Sequence, residues 1–174
     1  MFDAPMFDAV VGAEQRVQLT LYTDAYVARG TIGTRQRRVT DMLNQAEDGF
    51  IVLADVTLAE FGHRDEQVTA PFAQINLAAV LFAVADTTVE SVPELRTPKV
   101  PEFALVTIPP FKVSGRLHVL PERTVREALN ELVGNFLPMT EATYWSDRVG
   151  EPKASATMVA INHSRAQILM PWEG

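Results

Sequence analysis

Residues 43–50 read LNQAEDGF and residues 129–136 read LNELVGNF. Each opens with Leu-Asn and reaches Phe seven residues after the Leu, and the two lie 86 positions apart. Sliding the chain over itself by that interval, without a gap, also aligns Arg37 with Arg123, Val39 with Val125, Thr57 with Thr143, Ile75 with Ile161 and Asn76 with Asn162. Asp41/Glu127 and Asp55/Glu141 keep an acid in place. Upstream the interval is 85, which pairs Leu21 with Val106, Tyr26 with Phe111, Gly30 with Gly115 and Ile32 with Leu117. Agreement in order, spacing and residue type points to a duplicated unit, and such self-similarity is read before any fold is assigned.

Each copy reads alike. RVQLTLY and FALVTI are strand-like, and YVARGTI and FKVSGRLHV follow them across turn formers, TDA and PP. Two hairpins are the expectation. A short helix comes next. In TVREALNELVGN, Thr124 stands as N-cap with Glu127 three residues on, a capping box, and Gly134 supplies the stop. VTDMLNQAEDG repeats the pattern with Val39 and Leu43 on the matching face, though Arg38 replaces the threonine cap. Asn44 and Asn130 are assigned to satisfying backbone groups near the helix ends.

FIVLADVTLAEF and FLPMTEATYW then read as strands. Phe50, Val52, Ala54, Val56 and Leu58 share one face, and Pro138 marks an edge or a bulge. FAQINLAAVLFAV matches MVAINHSRAQILM as two short strands about a tight turn, with Asn76 and Asn162 expected in the left-handed conformation. The fold class is therefore mainly β (α+β): a tandem duplication of a ββαββ small-barrel-like unit with one short helix per unit. The expected divisions are an N-terminal extension at 1–14, a first unit at 15–86, a Pro-containing linker at 87–102 and a second unit at 103–172. The units are expected to bury equivalent apolar faces, so that Phe50 and Phe136, or Ile75 and Ile161, meet like surroundings.

Composition narrows the chemistry. The 174 residues are 47% hydrophobic and 21% charged, which is ordinary for a globular domain and far from disorder. A net charge of −7 repels phosphate backbones and anionic membranes, so neither nucleic acid nor membrane is an expected partner. No cysteine is present, which removes disulfides, thiolate metal sites and cysteine nucleophiles. The start, MFDAPMFDAVVGAE, has no basic residue and no signal-length apolar run. The most apolar stretch, residues 77–84, is too short to span a bilayer. A cytoplasmic protein is expected.

The segment YTDAYVARGTIGTRQRRVTDMLNQAEDGFIVLADVTLAEFG, followed by INLAAVLFAV, resembles a bacterial family that carries two such units per chain and has no assigned activity. The likeness covers about residues 15–170 and implies no catalytic residue. The ending INHSRAQILMP after a bent strand is similar, more loosely, to Sm-like and SH3-like small barrels. In Sm-type barrels, however, the helix precedes the first strand, whereas here it follows the second.

No residue pattern points to catalysis. His63, His118 and His163 form no metal-ligand spacing, Ser114 and Ser164 sit in no nucleophile elbow, and no phosphate loop appears. No cofactor and no enzyme activity are expected. Arg35, Arg37 and Arg38, with Arg123, are the candidate contacts for an anion or an acidic partner. Leu77, Ala78, Ala79 and Leu81 are the candidate interface, because the other copy has His163, Ser164, Arg165 and Gln167 there. The expected function is a non-catalytic protein-interaction or scaffolding module that self-associates or binds another protein. The alternative is a small-molecule-binding regulatory protein with a site between the units, near Arg37, Arg123, Asp55 and Glu141.

Overall fold

Val17, Leu19 and Leu21 alternate with Gln18, Thr20 and Tyr22, and this period of two lays down the first strand with its apolar face inward. The computed structural model describes residues 14–36, 38–86, 100–119, 122, 124–131 and 134–173. Strands β1 (Gln15–Tyr22) and β2 (Tyr26–Thr34) lead to α1 (Val39–Asn44), then β3 (Phe50–Glu60), β4 (His63–Asn76), a 3-10 turn at Leu77–Ala79 and β5 (Phe82–Ala85). The same order of elements follows: β6 (Val100–Ile108), β7 (Phe111–Val119), α2 (Val125–Asn130), β8 (Phe136–Ser146), β9 (Glu151–Asn162), a 3-10 turn at His163–Arg165 and β10 (Ile168–Pro171). The protein is mainly β, in the α+β class, with two short helices. Residues 14–86 make up the N-terminal half and residues 100–173 the C-terminal half.

The strands of the two halves are joined in one hydrogen-bonded sheet. A single ten-stranded sheet runs β10-β6-β7-β8-β9-β5-β1-β2-β3-β4, and its middle pair, β9 with β5, joins the halves. Residues 1–13 and 87–99, which include the extension and most of the linker, lie outside the described residues. The expected linker ends early, because residues 100–102 already belong to β6 and pair with β7.

Register repeats between the halves. Phe50 faces Asn76, Ile51 faces Ile75 and Leu53 faces Ala73, as Phe136 faces Asn162, Leu137 faces Ile161 and Met139 faces Val159. Each long strand also bulges at the same place. Asp55 and Glu141 carry positive φ, 52° and 47°, where β3 and β8 slip against β2 and β7. The bulge corrects the simple alternation expected of β3: Ile51, Leu53 and Val56 all enter one core, while Val52 is exposed. Gly30 and Gly115 face these bulges. A Cβ on Gly30 would stand 2.9 Å from the Leu53 Cβ and 3.0 Å from the Ala54 carbonyl oxygen, and Gly115 is equally confined by Met139 and Thr140.

The helices are shorter than their sequence patterns, six residues each. Thr124 and Glu127 form the capping box, and Arg38 caps α1 without a side-chain bond. Pro138 falls beyond the end of the β7–β8 ladder, whose last pair is Arg116 with Thr140, so it breaks no hydrogen bond on that side. Asn76 and Asn162 are not left-handed. Both are extended, with φ near −75°, and each side chain accepts the amide two residues on to start its 3-10 turn.

Gly30→Ala is expected to lower stability by about 1–3 kcal/mol, since the added methyl meets backbone and β-carbon atoms that cannot swing away. Gly49→Ala, at φ 72° with open space around it, should cost no more than about 1–2 kcal/mol. Urea unfolding of the two variants against the parent measures the difference.

Candidate functional site

The joint between the halves is the most elaborately built place in the molecule. Phe82, Ala83 and Val84 of β5 lie opposite Ile161, Ala160 and Val159 of β9. Alternation sends Phe82, Val84, Val159 and Ile161 into one hydrophobic core, and Ala83 and Ala160 into the other. The first core belongs mainly to the C-terminal half and the second to the N-terminal half. The joint strands therefore separate the two cores, and β5 completes the core of the half that follows it.

Polar side chains fix this pairing. Asn44 Nδ2 donates to the Phe136 carbonyl at 2.9 Å, while the Phe136 amide donates to Asn44 Oδ1 at 2.7 Å. Asn162 is buried, with 1% exposure; its amide donates to the Leu81 carbonyl, and its Nδ2 donates to the carbonyls of Leu77 and Val80. Buried amides left without such partners would each cost about 1–3 kcal/mol. Asn44 thus does not serve its own helix end, as its sequence position implied. It docks α1 onto β8, and Val39 and Leu43 are buried with it.

Aromatic rings fill the adjoining core. Tyr22 stacks on Phe82 with centroids 4.6 Å apart, and meets Phe111 and Tyr144 edge-on at 5.5 and 5.3 Å. Rings in these geometries add to the burial of their area. The Tyr22 hydroxyl donates to that of Tyr144 at 3.5 Å. Burial first, and this neighbour second, push the Tyr22 phenol well above its ordinary range.

The candidate interface lies here, inside the chain. Leu77 and Leu81 are buried at the joint, Ala79 is half-buried and Ala78 exposed, so the apolar stretch is covered largely by the chain's own second half. Of the basic cluster, Arg35 and Arg38 are exposed, whereas Arg37 and Arg123 fall outside the described residues. Asp55 does line a shallow depression, but with Val56, Thr57, Thr69, Ala70 and Pro71, all from β3 and β4. Glu141 lies 3.0 Å from Arg116 Nε. Their shared feature is the left-handed bulge, a backbone duty rather than a paired-carboxylate site. His118 meets the Thr140 hydroxyl, and no group of three potential metal ligands occurs among the described residues. No described helix is long and apolar enough to cross a membrane.

The expectation of like surroundings for the two copies fails. Phe136 is 3% exposed and Phe50 is 44% exposed, although each occupies the same place in its ladder. Ile161 is fully buried and Ile75 only partly. The reason is topological: β5 covers the end of β9, and α1 covers Phe136, whereas nothing described covers the end of β4. Sequence reasoning missed this difference, because cover comes from residues more than 80 positions away. The paired Leu-Asn of the opening motif was the available signal.

No family model, no curated protein and no solved structure matches the chain. Geometry alone carries the functional reading.

Asn44→Ala strips two hydrogen bonds from the Phe136 backbone and should destabilise by about 1–3 kcal/mol. Asn130→Ala, at the matching exposed position, should stay within about 0.5 kcal/mol in dilute solution. Thermal melts at low concentration test the contrast. Asp55→Gly should hold or raise stability, by up to about 1–2 kcal/mol, because glycine relieves the positive φ; a clear loss would mark a contact-making role for the carboxylate.

Proposed function

We propose that this protein is a non-catalytic structural module that associates with itself through the edges of its sheet. The observation that carries the reading is the state of the two terminal strands. Among the described residues, β4 and β10 each have a strand neighbour on one side only. Large apolar side chains stand exposed on both, Val68 and Phe72 on β4, Ile168 and Met170 on β10. An uncovered edge with apolar side chains is a template for another strand, and proteins that stay monomeric blunt such edges with charge, proline or a covering loop. Here such devices are local: Pro71 and the charges of β4 lie before its last five residues, and Pro171 stands only at the end of β10. The first four residues of β4, His63, Arg64, Asp65 and Glu66, are polar or charged, while residues 72–76, FAQIN, carry no charge at all.

A duplicated ββαββ unit supports the same reading. Units that pair with one another inside a chain already present the surfaces needed to pair between chains. The exposed Phe50 and Val52, beside the uncharged end of β4, extend the apolar surface onto β3.

Light scattering over a range of concentration is the test. The parent chain, 19.2 kDa, is expected to show a mass that rises above that of a monomer. Ile168→Lys should return it to the monomer with an unchanged far-ultraviolet spectrum. A parent that stays monomeric up to millimolar concentration sinks the proposal.

A further inference from the structure

We infer that copies of this chain join head to tail, β10 of one laid antiparallel against the 73–76 end of β4 in the next, so that the joint between chains repeats the joint within the chain. The inference rests on the self-association reading above and adds to it which edge meets which, and in what register.

The internal joint supplies the template. β5 lies against β1 with Phe82 facing Tyr22 and Ala83 facing Leu21; β10 lies against β6 with Ile168 facing Thr107 and Leu169 facing Val106. These are the same pairs, displaced by 86 residues on one strand and 85 on the other. The approach is matched too: the Leu81 amide donates to the Tyr22 carbonyl, as the Gln167 amide donates to the Thr107 carbonyl. β10 is therefore held within its own half as β5 is held in its half, and its outer edge has no strand partner among the described residues.

The outer side is where the halves differ. Phe82 is fully buried, but its counterpart Ile168 is 55% exposed; Val84 is 8% exposed and Met170 41%. Leu169, matching Ala83, does pack on its own core. The two residues left in solvent are the two whose counterparts enter the core of the adjoining half. On the accepting side, Ala73 and Ile75 are partly buried against the N-terminal core, where Val159 and Ile161 lie wholly within theirs.

The polar fasteners are likewise present and idle. Asn162, buried, secures Leu77, Val80 and Leu81 across the internal joint, whereas Asn76 is exposed and holds only the amide of Ala78. Asn44 clamps Phe136, whereas Asn130 and Phe50 are both exposed. α1 buries three residues and α2 none. Displaced by the repeat, every part of the internal joint points to one match: Ile168 with Ile75, Met170 with Ala73, Asn76 with the carbonyls of His163 and Ala166, and Asn130 with the backbone of Phe50.

Unlike surfaces meeting in this way make a heterologous contact, which closes into a ring or runs on as a filament. The new joint is also the weaker of the two. Thr107 stands where Tyr22 stands, and Ile168 where Phe82 stands, so the ring cluster is missing. Assembly is reversible for that reason.

Single cysteines test the register, since the chain has none of its own. Ile75→Cys and Ile168→Cys are made separately, checked for parental far-ultraviolet spectra, then oxidised mildly alone and mixed. Strand partners at β-sheet spacing lie within disulfide reach. The expected result is a covalent dimer in the mixture and none in either variant alone, with Asn130→Ala weakening assembly about tenfold through its lost hydrogen bonds. Covalent dimers of one variant by itself mean like edges meet, which overturns this inference and leaves self-association standing. So does a large scattering mass with no cross-link in the mixture. Monomer masses with no cross-link at all overturn both.

Discussion

The pairing of β5 with β9 is the contact on which the rest of the molecule depends. It is short, three facing residues on each strand, yet it makes one sheet out of two five-stranded pieces and gives each core its boundary. Its strength comes from what surrounds it. Asn162 closes the carbonyls of the preceding turn, Asn44 holds the start of β8, and the rings of Phe61, Phe111 and Tyr144 pack beside Phe82 and Tyr22. A strand so brief could not hold two halves together by its ladder alone, because a few exposed hydrogen bonds contribute little net stability. Burial of Phe82, Val84, Val159 and Ile161 does most of that.

Much of the local architecture is written plainly in the chain. Thr124 and Glu127 announce α2, Gly49 and Gly134 end the helical segments at positive φ, and the hairpin turns fall where TDA and PP stand. Local rules sufficed there because the partners are three or four residues apart. The bulges at Asp55 and Glu141 were harder. A strand that changes face after five residues looks like an ordinary alternation with a polar end, and only the register shows the slip. The asparagines misled in a similar way. Asn76 and Asn162 are common turn residues with common left-handed φ, but here they accept an amide from their own turn and keep extended backbones.

What the sequence could not reveal is cover. Phe50 and Phe136 each follow a short helix, open a long strand and face an asparagine in the ladder, so local rules give them the same place. One is buried because a helix from the other half lies over it. The apolar excess at Leu77 and Leu81 calls for a cover from the other unit or from another chain, and the chain's own β9 and Asn162 take it up. The unsatisfied surface is displaced by one repeat, onto Ile168, Met170 and the uncharged end of β4. Like order and register give the two halves like local structure, whereas their linear arrangement leaves one of two matching surfaces bare among the described residues.

The aromatic cluster at the internal joint has a mechanical consequence. Rings from both halves interlock around Tyr22 and Phe82, and among the described residues no comparable group flanks Ile168. In any array built from this chain, stiff and yielding links therefore alternate along its length. Under tension or warming, such an array comes apart at every second link, shedding intact polypeptides before any one of them opens, and it can re-form from those same pieces once the stress is gone.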